Sequence, residues 1–141
     1  MPRADFYLID KPRFRDQPLQ LVCALVAKAF AAEQACLILS TDLAQAEELD
    51  DLLWSFDPES FIPHQLAGQG EDDSEVPVLI VPPGVVTPPR PLLMNLREEP
   101  VEGEFERVLE IVPADESARS GSRKRWQTYR ERGFELNKFD M

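Results

Sequence analysis

The amino-acid sequence predicts an α/β protein with a mostly parallel sheet. Short apolar runs of strand length alternate with segments of helical periodicity through the first half of the chain, which is typical of a parallel sheet covered by helices. The hydrophobic fraction of 43% is high enough to fill a core, which excludes disorder throughout the chain. A length of 141 residues is ordinary for one domain, so we expect a single domain over residues 1–141.

In the first half of the chain, predicted strands and helices alternate. Residues 5–9 are aromatic and branched, and residues 35–39 form a continuous apolar run, so both predict strands. Between them, Pro18 fits the first turn of a helix, and apolar residues follow it at helical spacing. A second helix is predicted after Asp42, because Asp42 and Gln45 have the spacing of a capping box.

The second half of the chain predicts further strands and one basic helix. The strands are predicted from apolar runs at residues 76–81, 92–96 and 105–112. Six prolines between residues 77 and 91 predict an extended connection. Residues 117–131 predict a basic helix that Gly133 ends. Residues 60–66 fit a short strand or an ordered loop, and the tail at 134–141 is apolar enough to pack on the domain.

The net charge of −11 is located in the middle of the chain. Residues 30–89 contain no Lys or Arg and twelve of the 26 acidic residues. Basic residues crowd one C-terminal stretch, where they are Arg119, Arg123, Lys124, Arg125, Arg130 and Arg132. An acidic protein with one basic patch is unsuited to coating nucleic acid, and it favours a single local anionic partner.

The distribution of apolar residues and cysteines indicates a soluble protein. No apolar run approaches the roughly 18 residues of a membrane span, and the first ten residues lack the apolar region of a signal peptide. Two cysteines do not make a disulfide scaffold, and both Cys23 and Cys36 are predicted to be buried structural thiols. We expect a cytoplasmic protein with no membrane contact.

No catalytic, metal or cofactor motif is complete. His64 is the only histidine, and with two distant cysteines it gives no zinc pattern. The acid pairs at 50–51 and 72–73 fit a solvated acidic surface better than a magnesium site. The Gly-x-Gly at 68–70 precedes three acids, and the turn after the first strand has no glycine, so no phosphate-binding motif is present. We expect no metal, no cofactor and no enzymatic activity.

An aromatic group surrounds the predicted end of the second helix. It contains Trp54, Phe56, Phe61, Ile62, Pro63 and His64. Large rings and a proline in a loop-like stretch are typical of a contact with another protein. Packing in the protein's own core is the alternative, and for Trp54 or Phe61 taken singly it is at least equally well supported.

A second group lies on one face of the predicted basic helix. At 3.6 residues per turn, this face carries Arg119, Arg123, Trp126, Gln127 and Arg130. Arginines beside an indole can pair with carboxylates or phosphates while an apolar side chain rests on the ring. The alternative is a solvated amphipathic helix with Trp126 turned toward the core.

These segments resemble the chi subunit family of bacterial DNA polymerase III. The resemblance runs almost from end to end, and two blocks make it specific. One is Ser-Phe-Ile-Pro-His-Gln-Leu-Ala-Gly at 60–68, and the other is Tyr-Arg-Glu-Arg-Gly-Phe-Glu-Leu-Asn at 129–137. The resemblance implies a three-layer, nucleotide-binding-like (Rossmann-like) fold without a nucleotide site.

The resemblance also implies a function and two protein partners. The function is that of a non-catalytic accessory subunit of the polymerase III holoenzyme in DNA replication, with mainly indirect contact to nucleic acid. One partner is the psi subunit of the clamp loader, for which the corresponding positions are Trp54, Phe61, Ile62, Pro63 and His64. The other is the C-terminal tail of single-stranded-DNA-binding protein, for which they are Val112, Arg119, Arg123, Trp126 and Gln127. That tail ends in acidic residues, an apolar pair and a free carboxylate.

The sequence departs from the family pattern at two positions of the tail site. Trp126 stands where a tyrosine is familiar and keeps a stacking surface, whereas Gln127 stands where a lysine is familiar and removes a charge. Acids flanking the tail's end are expected to be attracted by Lys124 or Arg125.

The alternative function is direct binding of single-stranded nucleic acid by the same Arg/Trp face, with bases stacked on Trp126. The charge distribution favours the adaptor, because the basic residues make a short patch on a body of net charge −11.

Overall fold

The computed structural model describes residues 2–56, 61–68 and 72–141, and its centre is a seven-stranded sheet. Every strand pair is parallel, and the strand order is β3-β4-β2-β5-β6-β1-β7. The strands are β1 (Arg3–Leu8), β2 (Cys36–Leu39), β3 (His64–Leu66), β4 (Val78–Val81), β5 (Leu92–Asn95), β6 (Arg107–Val112) and β7 (Glu135–Asp140). The α/β prediction is confirmed, and the sheet is parallel throughout.

Helices cover both faces of the sheet and complete a three-layer, Rossmann-like fold. They are α1 (Pro12–Asp16), α2 (Pro18–Ala31), α3 (Leu43–Ser55) and α4 (Glu116–Glu131). The buried residues of α1, α2 and α3 pack in one core layer, whereas Tyr129 of α4 packs in the layer on the opposite face. Within the described ranges, no helix is both long and apolar enough to span a bilayer.

Alternation along the central strands explains their continuous apolar runs. In β4, Val78 and Ile80 pack in the layer under α2 and α3, while Leu79 packs in the layer under α4. Successive side chains of a strand point to opposite faces, so a strand covered on both sides must be apolar at every position. The burial pattern of β4 is unbroken for this reason.

Local signals in the sequence define three helix ends. The Asp42 side chain accepts from the Gln45 N–H at 2.7 Å, as the capping box predicts, and α3 begins at the next residue. Pro18 opens α2. Gly133 follows α4 with a φ of 84°, a backbone conformation that favours glycine. Pro58, which the sequence suggested as the end of α3, lies outside the described residues; the helix ends at Ser55.

Two arginines hold the loops at opposite ends of the central strands. Arg90 follows the proline-rich segment and donates to the carbonyl oxygens of Asp73 (2.9 Å) and Pro77 (3.0 Å). Arg97 donates to the carbonyl oxygens of Ser40 (2.9 Å) and Val81 (2.8 Å). Arg97 therefore bridges the carboxyl ends of β2 and β4, an edge where open parallel sheets commonly bind ligands.

Besides a single 3-10 turn at Asp73–Glu75, two elements were not predicted from the sequence. The short helix α1 lies in the polar stretch before Pro18, where only Phe14 is buried. The tail forms β7, which pairs in parallel with β1 at the edge of the sheet. Phe139 of β7 stacks on Tyr7 with ring centroids 5.1 Å apart, and Asn137 donates to the buried carboxylate of Asp5 at 2.9 Å. These long-range contacts order a segment that has weak strand periodicity of its own.

The buried thiols make stability sensitive to alkaline pH. Burial raises the pKa of Cys23 to about 11 and that of Cys36 to about 12, from an ordinary value of 9.0. Because both folded-state values lie above the unfolded-state value, the stabilisation is complete below about pH 9 and is lost as the pH rises through 11 to 12. We expect urea unfolding at pH 10.5 to show a loss of about 2 kcal/mol per thiol relative to pH 8.

A C23A variant separates this effect from other alkaline transitions. It should lose less stability between the two pH values than the unmodified protein does, because one of the two thiols is gone. An equal loss in both proteins would contradict the assignment to thiols.

Candidate functional site

A cleft of about 510 Å³ lies between α4 and the sheet, and all five predicted tail-site residues line it. We call it the Arg/Trp cleft. Its lining consists of Phe6, Leu8, Val112, Arg119, Ser122, Arg123, Trp126, Gln127 and Lys138. The structure therefore brings together residues that the sequence placed on one helix and at the end of one strand.

The Arg/Trp cleft lies at a topological switch point of the sheet. The neighbouring strands β1 and β6 lead into helices on opposite faces: β1 is followed by α1 and α2, and β6 by α4. Where two such connections diverge, a crevice opens beside the carboxyl ends of the strands, and this is where α/β proteins generally bind ligands. Val112, the last residue of β6, contributes to the lining at this point.

Aromatic and apolar side chains form the floor of the Arg/Trp cleft. Trp126 packs edge-on against Phe6, with ring centroids 5.0 Å apart and ring planes at 66°. Val112 is buried, whereas Trp126 is only half-buried. The indole thus rests on the core through Phe6 and still exposes part of its surface to the cleft. The core contact of Trp126 is confirmed for one part of the ring, and the binding role of its exposed part stays a prediction.

The two cleft arginines differ in how firmly they are held. Arg119 is half-buried, and its Nε donates to the Pro113 carbonyl oxygen at 3.2 Å. The Arg123 side chain is 70% exposed, and its Nη2 lies 3.6 Å from the Glu116 carboxylate, a loose surface pair. Arg119 is therefore held by a backbone carbonyl group, whereas Arg123 is exposed and only loosely paired.

Residues beyond the predicted set complete the cleft. Gln127 lines it but is exposed and donates to Glu131 at 3.3 Å, while Arg130 does not line it. The additional lining residues, which the sequence did not single out, are Phe6, Leu8, Ser122 and Lys138. Side-chain alternation along the first strand places Phe6 and Leu8 on one face of the sheet, so their shared position could have been predicted from the sequence. Lys138 had no such signal, because its strand was not predicted.

Arg125 does not face the cleft, so the expectation that it attracts acids of a bound tail is wrong. Only 7% of the residue is exposed, and its Nε donates to Glu110 Oε1 at 2.7 Å. Its other nitrogens donate to Ser122 Oγ at 2.9 Å and to the Glu98 carbonyl oxygen at 3.2 Å. A buried carboxylate on β6 takes this arginine inward, which neither charge counting nor helical spacing reveals. Lys124 is exposed and lies outside the cleft lining.

Glu110 is the centre of a buried polar network that fixes α4 on the sheet. It is fully buried and accepts from Arg125, from Asn95 Nδ2 at 2.8 Å and from the Tyr129 hydroxyl at 2.7 Å. The Tyr129 oxygen also accepts from the Val101 N–H at 2.9 Å. Burial raises the pKa of Glu110, and the guanidinium of Arg125 opposes that rise. Burial beside this carboxylate also raises the pKa of Tyr129.

Trp54 and Phe61 form an exposed aromatic surface at the end of α3. Their rings lie with centroids 5.4 Å apart, and they are 56% and 64% exposed respectively. The two rings are in contact, so they form one contiguous exposed apolar pair and not two scattered residues. We call this pair the aromatic surface.

The other residues of the predicted aromatic group support this surface from below. Ile62 is buried and Pro63 half-buried, and the His64 side chain is fully buried. The His64 ring lies 4.8 Å from the Trp54 ring, its Nδ1 is 2.7 Å from the Ile62 carbonyl oxygen, and its Nε2 is 3.1 Å from Asp50 Oδ1. These contacts connect β3 to α3. Trp54 and Phe61 are thus the exposed members of the group, whereas Ile62 and His64 lie beneath them.

The aromatic surface and the Arg/Trp cleft lie at opposite sides of the molecule. The aromatic surface belongs to α3 and to the chain just before β3, the edge strand at one end of the sheet. The cleft includes Lys138 of β7, the edge strand at the other end. The helices concerned, α3 and α4, also cover opposite sheet faces. The two surfaces are therefore separated by the width of the sheet.

The acidic residues that the structure describes show no metal-binding arrangement. Across the ranges that the structure describes, no group of three or more His, Cys, Asp and Glu side chains is placed to hold a metal ion. Asp72 accepts from the Ser74 N–H at 3.0 Å, and Asp73 accepts from the Gly68 N–H at 3.0 Å. This acid pair thus has a structural use in its loop.

Comparison with known proteins assigns the family. The family model described as "DNA polymerase III chi subunit, HolC" matches residues 1–137. Three relatives are each named DNA polymerase III subunit chi. That of Pseudomonas aeruginosa is 40% identical over 96% of this chain and 94% of its own length. That of Escherichia coli K12 is 34% identical over 97% of both chains, and that of Haemophilus influenzae is 31% identical over 84% of this chain and 83% of its own.

A solved structure confirms the architecture at a much greater distance. It is that of Saccharomyces cerevisiae Dbp5 bound to Nup159, Gle1, IP6 and ADP, with a TM-score of 0.64 and 10% identity. The match covers 99% of this chain and 42% of that one, and it concerns the fold alone.

The fold and the cleft thus define a Rossmann-like α/β protein with a cationic, aromatic-floored crevice at its switch point. The family model and the three relatives make the assignment specific. The chain belongs to the DNA polymerase III chi subunit family.

The buried network predicts very different roles for two adjacent cations of α4. An R125A substitution leaves Glu110 charged, buried and short of its ion pair, so we expect a loss of about 3–5 kcal/mol in the free energy of unfolding. K124A removes an exposed cation and should change the free energy of unfolding by less than about 0.5 kcal/mol. Urea unfolding of both variants at pH 7.5 measures the difference. Similar losses in the two variants would show that the network does not hold α4.

Proposed function

We propose that this chain is a non-catalytic adaptor of the DNA polymerase III holoenzyme. In this proposal the Arg/Trp cleft binds the acidic C-terminal tail of single-stranded-DNA-binding protein, and the aromatic surface binds the psi subunit of the clamp loader. The observation that carries the first part is the composition of the cleft. Val112, Arg119, Arg123, Trp126 and Gln127 line one crevice, which has cations beside an aromatic floor.

The cleft has groups suited to both features at the C-terminal end of such a tail, the free carboxylate and the apolar side chain. A guanidinium can hold a terminal carboxylate through two parallel hydrogen bonds, and Arg119 and Arg123 offer two guanidinium groups at the cleft. The apolar side chain at the tail's end would rest on Trp126 and Val112. Capture of a free C-terminal carboxylate beside an apolar pocket is a recurring mode of peptide recognition.

The distribution of charge supports a protein tail over a nucleic acid as the ligand. The body carries a net charge of −11 and repels phosphate chains, whereas the short cationic cleft attracts a few carboxylates. Single-stranded nucleic acid generally needs a continuous positive groove with several stacking rings. Here the cleft has one partly exposed indole, that of Trp126.

The proposed lack of catalysis is supported by the usual ligand edge of the sheet. The turn after β1 has no glycine for a phosphate loop. Arg97 hydrogen-bonds the carbonyl groups of Ser40 and Val81 at the carboxyl ends of β2 and β4. The part of that edge at β2 and β4 is therefore occupied by the protein's own side chain, and the exposed features that remain are suited to binding proteins.

The aromatic surface suits a stable protein partner. Trp and Phe bury large apolar areas at interfaces, and Trp is among the residues that most often dominate binding energy. The aromatic surface lies away from the cleft, on the opposite sheet face, so psi and the tail would bind to this chain at the same time. The chain would then tether the clamp loader to template strands coated by single-stranded-DNA-binding protein.

The cleft can be tested with a peptide that has the tail's chemistry. We expect R123A to weaken binding of an acidic peptide with an apolar, free C-terminus by about five- to ten-fold, because a charge-assisted hydrogen bond is lost. C-terminal amidation of the peptide should weaken it by a similar factor. Binding should also weaken as salt rises from 50 to 500 mM, since the Debye length shortens. Isothermal titration calorimetry measures each affinity.

Lys124 provides the matched control for that experiment. K124A removes one positive charge from the same helix outside the cleft, so its affinity should stay within about two-fold of the unmodified protein's. Equal effects of R123A and K124A would remove the cleft from the proposal. Tight binding of a naked oligonucleotide, lost in a W126A variant, would favour direct nucleic-acid binding instead.

The aromatic surface predicts a separate set of effects on the psi subunit. We expect W54A and F61A each to weaken psi binding by about ten-fold or more, with little change in the free energy of unfolding, because both rings are exposed. The control is L43A, which removes an exposed apolar side chain from the other end of α3. Biolayer interferometry with immobilised psi measures the affinities. If L43A weakens binding as much as W54A, the partner's contact is not centred on the aromatic surface.

A further inference from the structure

We infer that Lys138 is a third cation of the Arg/Trp cleft and pairs with the acidic side chains that precede the apolar end of a bound tail. The inference rests on the proposed function of the cleft and assigns a role to a residue outside the family's corresponding positions. It also gives the bound chain a direction. Its apolar end lies under α4, and its acidic segment crosses the edge strand β7.

The two cations that were expected to attract the acidic segment of a tail, Lys124 and Arg125, do not line the cleft. Arg125 is buried against Glu110, and Lys124 lies outside the cleft lining. Gln127 lines the cleft but is uncharged. Arg119 and Arg123 are the two cations that α4 contributes to the lining. In the proposed complex, the terminal carboxylate of the tail pairs with both of them. An additional acidic side chain of the tail would therefore have to pair with a cation on the wall of the cleft that the sheet forms.

Lys138 is placed on that other wall. In the parallel register of β1 and β7 it lies directly opposite Phe6, so the two side chains share a sheet face. Phe6 is the residue on which Trp126 packs. Leu136, two positions earlier, packs in the core layer under α4, which confirms the face of β7 on which Lys138 lies. The ammonium group therefore flanks the aromatic floor from the side opposite Arg123.

The Lys138 side chain is available for a ligand. It is exposed, and within the described ranges of the chain no Asp or Glu carboxylate lies within 4.0 Å of its ammonium group. Asp140 is the nearest acid along the same face of β7, opposite Leu8 in the register. An acidic peptide segment is thus attracted at Lys138 and repelled one step further along the strand, at Asp140.

A matched pair of substitutions tests the role of Lys138. K138Q and K124Q each remove one exposed cation and keep a long polar side chain. With the acidic peptide at 50 mM salt, we expect K138Q to weaken binding about three- to five-fold and K124Q to leave it within two-fold. The difference should shrink toward zero at 500 mM salt, where exposed pairs are screened.

A second peptide identifies the group that Lys138 contacts. Its upstream Asp and Glu are replaced by Asn and Gln, while its apolar end and free carboxylate are kept. Against this peptide K138Q should bind as the unmodified protein does, while R123A should still bind more weakly. If K138Q and K124Q behave alike with the acidic peptide but R123A binds more weakly, the inference about Lys138 is wrong and the proposed cleft stands. If R123A binds as tightly as the unmodified protein, the proposed function of the cleft fails first.

Discussion

The buried ion pair of Glu110 with Arg125 is the interaction on which the placement of α4 depends. A carboxylate taken fully out of water costs several kcal/mol unless it is matched by donors, and here Arg125, Asn95 and Tyr129 all match it. Two of these donors belong to α4. The helix therefore fits the sheet in one register, and any slip along its axis would leave the charge on β6 unpaired.

The register of α4 in turn makes the Arg/Trp cleft. With Arg125 and Tyr129 turned to the sheet, the positions between and before them point along the helix edge, where Arg123 and Trp126 line the crevice. Ser122 joins the two regions, because its hydroxyl accepts from Arg125 while the residue lines the cleft. One side of α4 thus joins a polar network in the core, and another side lines an exposed cationic crevice.

The sequence predicted the elements whose signals are local. Capping by Asp42, helix opening at Pro18 and the end of α4 at Gly133 are fixed by hydrogen bonds or backbone angles within a few residues. Two elements escaped prediction for the opposite reason. The tail becomes a strand only because β1 offers it an edge, and α1 is a single turn held mainly by Phe14. The same limit applied to Lys138, whose place in the cleft depends on that strand.

At the two candidate sites, the sequence by itself determined which residue types were available and how they were spaced on one helix or loop. It identified all five positions of the cleft that correspond to the family, and the ring pair Trp54 and Phe61. Only the tertiary structure decided which of these side chains are exposed and which are buried. Arg125 turned inward because a buried carboxylate lies beneath it, and His64 because Asp50 and the Ile62 carbonyl group lie against it. Helical spacing predicts which residues of one helix are neighbours. The direction of a charged side chain depends instead on the buried charges of distant elements with which it must pair.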